Sequence, residues 1–108
     1  GGTLGIEELI ARNGADASET LAPMSIGGNQ EPWDFQRKLG RRLAYIGGLD
    51  QHSVLTVGSP EDIRRSVRRL FETVGRDGGY ICSASDHFFE TPVENLAVFA
   101  RAAAECVY

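Results

Sequence analysis

Asp86 and His87 stand side by side between an apolar run, Tyr80 to Cys82, and a pair of phenylalanines, in the stretch Gly78 to Leu96, GGYICSASDHFFETPVENL. An imidazole next to a carboxylate can act as an acid or a hydrogen-bond donor near neutral pH, and Ser85 sets a hydroxyl directly before the pair. A second polar group closes the earlier apolar run Leu43 to Ile46. In Gly47-Gly48-Leu49-Asp50 the glycines permit close backbone approach, and Asp50 can bind a polar substrate group or hold the turn. Both groups follow what reads as a strand, and α/β architectures hold ligands just past the carboxyl ends of strands. The expectation is a small-molecule site, with Asp86 and His87 in the chemistry, Asp50 and Asp86 orienting the histidine, and Asp50, Gly48 and Ser85 contacting substrate. His52 reads as a surface or helix-terminal residue. Trp33 and Phe35 read as packing residues, because no basic residues interleave with the aromatics as they do on a base-stacking surface.

The elements that must position these residues follow from periodicity and punctuation. Ser59-Pro60-Glu61-Asp62 supplies an N-cap, a proline at the first helical position and an acid at the third, and Ile63, Val67, Leu70, Phe71 and Val74 then keep a 3.6-residue period up to Gly75. Thr91-Pro92-Val93-Glu94 repeats that start thirty-two residues later, with Leu96, Phe99, Ala103, Cys106 and Val107 as the apolar side. That spacing is one strand-plus-helix unit. Upstream, Leu4 to Asn13 predicts a helix with Leu4, Ile6, Leu9 and Ile10 as its stripe, Ala15 to Leu21 a strand, Ala22 to Gln30 a loop, and Glu31 to Leu39 a helix ended by Gly40. Gln51 to Thr56 is compatible with a helical turn. The resulting class is α/β, one domain over residues 1–108, with parallel strands alternating with helices through right-handed crossovers. About three strands leave both sheet edges open, so the pattern reads as part of a larger closed sheet, completed by further sequence or by another copy of the chain.

Composition narrows the partners. Fifteen acidic against eleven basic residues give a formal charge of −4, which argues against nucleic acid, and Arg64, Arg65, Arg68 and Arg69 gather on one helix as a solvated face. Cys82 and Cys106 have the usage of small buried hydrophobes in a reducing compartment. With no long apolar run and no N-terminal signal segment, the expectation is a soluble cytoplasmic protein without a membrane partner.

Four ordered motifs, Gly47-Gly48-Leu49-Asp50, Gly58-Ser59-Pro60-Glu61, Gly78-Gly79-Tyr80-Ile81 and Thr91-Pro92-Val93-Glu94-Asn95-Leu96, resemble the carboxyl-terminal part of the uroporphyrinogen decarboxylase family, which also contains cobalamin-dependent methyltransferases. The resemblance covers nearly all of the chain. It implies the last three units of a (β/α)8 TIM barrel and a cofactor-free carboxy-lyase cleft for a tetrapyrrole or related carboxylate, in porphyrin biosynthesis. Either His87 or Asp86 then matches the family's late cleft histidine. On the same footing the chain is a fragment, inactive alone, whose partner is the missing amino-terminal half of the barrel or a set of identical copies. The methyltransferase branch would bring zinc and a corrinoid, yet its late cysteine position holds Ser85, Asp86 or His87 here and Cys82 lies several residues early, so no metal set is expected. A third reading is a non-catalytic small-molecule binding or partner module.

Overall fold

Three short parallel strands, β1 (Ala17–Thr20), β2 (Ala44–Leu49) and β3 (Tyr80–Ala84), form one sheet in the order β1-β2-β3 in the computed structural model, which describes residues 1–107. Between and around them run α1 (Glu7–Arg12), α2 (Pro32–Leu39), α3 (Pro60–Thr73) and α4 (Val93–Glu105). This is the expected α/β alternation, consistent with part of a TIM barrel.

The sheet has two unlike faces. Side chains alternate along a strand, so the cross-strand row Ser18–Tyr45–Tyr80 and the next row, Glu19–Ile46–Ile81, point opposite ways. Tyr45 and Tyr80 are buried against helices at 2% and 6% exposure, whereas Ile81 is 58% exposed. Phe35 of α2 meets the Tyr45 ring edge to face at 6.0 Å, and Phe71 of α3 meets Tyr80 at 5.3 Å. One face is therefore a packed core and the other is bare.

Helix α3 is the element whose sequence signals all agree. Ile63, Val67, Leu70 and Val74 are buried, and Phe71 packs against them half-covered. At its start the Ser59 hydroxyl accepts the Asp62 N–H at 3.1 Å, while the Asp62 carboxylate accepts the Ser59 N–H at 2.9 Å. Replacing Ser59 with alanine is expected to lower unfolding free energy by about 1 kcal/mol, seen as a lower denaturant midpoint at unchanged slope. An unmoved midpoint would mean that solvent substitutes for the cap. Arg64 and Arg65 relieve their repulsion from Arg68 and Arg69 by turning back to Glu61 and Asp62, and Arg69 lies 3.9 Å above the Trp33 ring. Trp33 thus packs under a cation and Phe35 is buried in the core.

Five expectations need correction. Helix α1 is shorter than Leu4 to Asn13, because Gly5 at φ +91° departs from a helical path and the Thr3 and Leu4 N–H groups go to Asn29 Oδ1 at 2.8 and 2.9 Å. Most of its stripe is not core either: Leu4, Ile6 and Leu9 are exposed while Ile10 packs against the core, and the helix is tied down by Glu8 paired with both ends of the Arg42 guanidinium and by Glu7 with Lys38. The Lys38 hydrogen bond, with others, holds the Glu7 carboxyl down at about 2. Strand β2 does not stop at Ile46 but runs through both glycines to Leu49. Helix α4 begins one residue late, with Pro92 in the cap position at φ −57°, ψ 138°, and the Thr91 hydroxyl engaged elsewhere. Of its predicted apolar side, Val107 is exposed and Ala102 is the residue that is buried. Among the described residues no helix is long and apolar enough to cross a membrane.

Candidate functional site

Strand β2 ends by delivering Asp50 into a nearly buried position, 5% exposed. Its Oδ1 accepts the N–H groups of His52 at 2.9 Å and Ser53 at 2.7 Å, and Oδ2 accepts the Ser25 hydroxyl at 2.6 Å. Burial alone would raise this pKa; the Ser25, Ser53 and His52 hydrogen bonds together outweigh it and hold the carboxyl below its ordinary value. Asp50 caps a π-helical segment, Gln51–Thr56, whose wide turns are closed by Leu55 N–H to Asp50 O at 3.1 Å and Val57 N–H to His52 O at 3.0 Å. Such segments occur often at functional sites, since the extra residue per turn redirects side chains.

The next unit locks this segment in place. Ser85, just past β3 and 3% exposed, donates its N–H to Leu49 O at 2.9 Å and sets its hydroxyl 3.0 Å from both Leu49 O and Gln51 Oε1. Thr56 donates its hydroxyl to Gln51 O at 2.7 Å, so the 2.8 Å contact between Thr56 and Thr91 has Thr91 as donor, each hydroxyl owning one proton. Asn95 of α4 adds Nδ2–H bonds to Leu55 O at 2.9 Å and Thr56 O at 3.3 Å.

Beyond Ser85 the chain turns outward. Asp86 Oδ1 accepts the His87 N–H at 2.7 Å and lies 2.9 Å from His87 Nδ1, and these two bonds hold the Asp86 carboxyl below its usual range. A carboxylate only accepts, so Nδ1 carries the proton and Nε2 is left for a ligand. The imidazole stacks parallel to Phe89 at 6.0 Å. Across a cleft of about 380 Å³, His87, Phe88, Phe89 and Glu90 face Gln51 and His52 of the π-helical segment.

The model of the family described as uroporphyrinogen decarboxylase (URO-D) matches residues 6–106. The chain belongs to the uroporphyrinogen decarboxylase family. Comparison with curated proteins and with solved structures gives no match. The family match spans all three strand-helix units, so the cleft at the ends of β2 and β3 lies inside the uroporphyrinogen decarboxylase domain.

Within that domain the five residues expected at the site divide. His87 lines the cleft, and Asp86, not Asp50, holds its ring. Asp50 and Ser85 stand behind the cleft wall with their polar atoms bonded to the chain itself. Gly48 lies within β2 at φ +89°, where a Cβ would meet Leu70 Cδ2 at 3.0 Å, so it lets α3 close on the sheet. Gly48 and Asp50 border a separate cavity of about 190 Å³ beside Trp33 and Arg69. His52 is exposed and stands at the start of a helical segment, as expected, and it also lines the cleft; Gln51 was not singled out in the sequence, although it directly follows a strand-end aspartate.

Among the described residues no three His, Cys, Asp or Glu side chains are grouped to hold a metal. Cys82 sits within β3 against the core, and burial pushes its thiol up to about 11, away from the thiolate a zinc ligand needs.

Proposed function

We propose that the chain forms one wall of the active site of a carboxy-lyase of this family, acting on a carboxylate-bearing ring substrate such as a tetrapyrrole, in the cytoplasm and without a cofactor. The observation that supports this reading is that His52 and His87 line one strand-end cleft together with Phe88 and Phe89. Imidazoles supply hydrogen-bond donors to a carboxylate, and phenyl faces accept a flat apolar ring. In the reaction the bond between a side-chain carbon and its carboxylate breaks, CO2 leaves, and the electron pair stays on the carbon. That carbon takes a proton from the His87 imidazolium at Nε2, and solvent reloads the ring. Asp86 keeps Nε2 pointed outward throughout.

The remaining walls belong, in this reading, to further β/α units that cover the bare face carrying Ile46 and Ile81, from the same polypeptide or from other copies of the chain. Parallel strands are stable when covered on both faces, which is why the exposed Ile81 supports such a completion. The test is CO2 release from a porphyrinogen with acetate side chains by the full-length protein. His87→Ala is expected to lower turnover about 10²-fold while leaving thermal stability nearly unchanged, because the ring is exposed and makes only local contacts. Equal turnover would remove His87 from the mechanism.

A further inference from the structure

Gln51 is the cleft residue whose two ends have opposite chemistry, since a primary amide accepts at Oε1 and donates at Nε2. Its main chain is fixed by Thr56, whose hydroxyl donates to Gln51 O at 2.7 Å. The side chain is fixed by Ser85, whose hydroxyl lies 3.0 Å from Gln51 Oε1 and 3.0 Å from Leu49 O. One hydroxyl proton cannot serve both acceptors, and two arrangements satisfy the geometry. With the proton on Gln51 Oε1, Leu49 O keeps the Ser85 N–H at 2.9 Å and the amide offers two N–H groups to the cleft. With the amide turned over, Ser85 donates to Leu49 O and accepts from Nε2, and an acceptor oxygen faces the cleft instead.

We infer that Gln51 is a substrate-contacting residue that determines specificity for a carboxylate, and that Ser85 is the positioning residue that holds its amide with the N–H groups toward the ligand. This deepens the preceding reading and rests on it: a carboxylate already drawn to His87 meets the Gln51 N–H pair across the same cleft, and its charge selects the donor orientation over the acceptor one. A neutral ligand that donates hydrogen bonds would select the reverse. Asn95 bonds the main chain of the same segment and Thr91 bonds the Thr56 hydroxyl, and together they fix where the amide begins.

The test is titration of the 15N-labelled chain with benzoate and with its neutral isostere benzamide, read on side-chain amide signals. The Gln51 pair is assigned by its absence from Gln51→Glu. Benzoate is expected to shift that pair, and Gln51→Glu to weaken benzoate at least about 10-fold while leaving benzamide within about 2-fold, because a second carboxylate repels only the charged probe. Ser85→Ala is expected to weaken benzoate several-fold and to broaden the Gln51 pair. If Gln51→Glu binds benzoate as the parent does while His87→Ala does not, the cleft reading stands and the role of Gln51 falls. A parent chain whose cleft signals ignore benzoate overturns both. Gln51→Glu changes a half-buried side chain at the cleft wall and keeps its shape, so the test does not depend on the fate of the buried Ser85 substitution.

Discussion

Gly47→Ala is expected to cost the fold about 3 kcal/mol or more, and Gly47→Val to leave no cooperative unfolding transition. Gly47 sits in the central strand at φ +108°, a region that L side chains enter with strain. A Cβ built there stands 2.4 Å from Thr20 O and 2.9 Å from Thr20 C. Those atoms are backbone, so no rotamer change moves them aside. Strand β1 has no slack to yield either: Thr20 and Leu21 already hold φ of 89° and 46°, and Leu21 is anchored in the core. On the other side the Tyr80 hydroxyl donates to Gly47 O at 2.7 Å, so a shift of β2 away from β1 would break a buried bond to β3. Denaturant unfolding followed by circular dichroism checks this. A Gly47→Ala midpoint within error of the parent would mean that the β1–β2 crossing relaxes freely.

Asp50→Ala is expected to destabilise by about 2–3 kcal/mol, because it leaves the His52 and Ser53 N–H groups and the Ser25 hydroxyl without their acceptor near a buried strand end. Asp50→Asn keeps the shape and one acceptor, and isolates the charge. The sign of its pH dependence follows from the depressed carboxyl. A carboxyl whose folded pKa lies below its unfolded value adds stability that is fully present above the unfolded value and disappears as pH falls through the folded one. The gap between parent and Asp50→Asn is therefore expected to be full at pH 7, to begin closing below about pH 4, and to narrow further toward the lower folded value. Urea titrations at a series of pH values measure it. A gap that widened on acidification would reverse the assignment of Asp50 as a charged cap.

The contrast between α3 and the segment after β2 explains what could be read in the chain. For α3, the cap, the proline, the acid and the apolar period each state the same thing within fifteen residues, and local chemistry decides the element. The class of the fold followed from two such units in tandem, although β2 and β3 both run past the ends their apolar residues suggest. Gln51–Thr56 differs: a helical turn was legible, but its π geometry depends on Asp50 being buried and on Thr91 and Asn95 arriving from the next unit, neither of which has a local signature. For that reason the place of His87 on an outward loop past a strand end was readable, while the place of Gln51 in the cleft wall was not. The α4 start failed on the same ground, since Thr91 had a distant hydroxyl partner competing with the cap. In β2 the glycines looked like an ending because strands seldom contain them; the close passage of Thr20 makes Gly47 necessary inside it, and Leu70 of α3 does the same for Gly48.

The hydroxyl chain from Thr91 through Thr56 to Gln51, with Ser85 and Asn95 beside it, divides the cleft into unlike jaws. The jaw bearing Gln51 and His52 is bonded to β2, β3 and α4 together, so it meets a ligand already set. The opposite jaw, Asp86 to Glu90, is held by contacts among its own residues, Asp86 with His87 and His87 with Phe89. A segment so lightly tied adjusts at little cost, while its histidine stays locked to its carboxylate. Binding here works like a vice with one fixed and one sliding face: the fixed face sets which chemistry is admitted, and the sliding face sets how large a ring can be gripped.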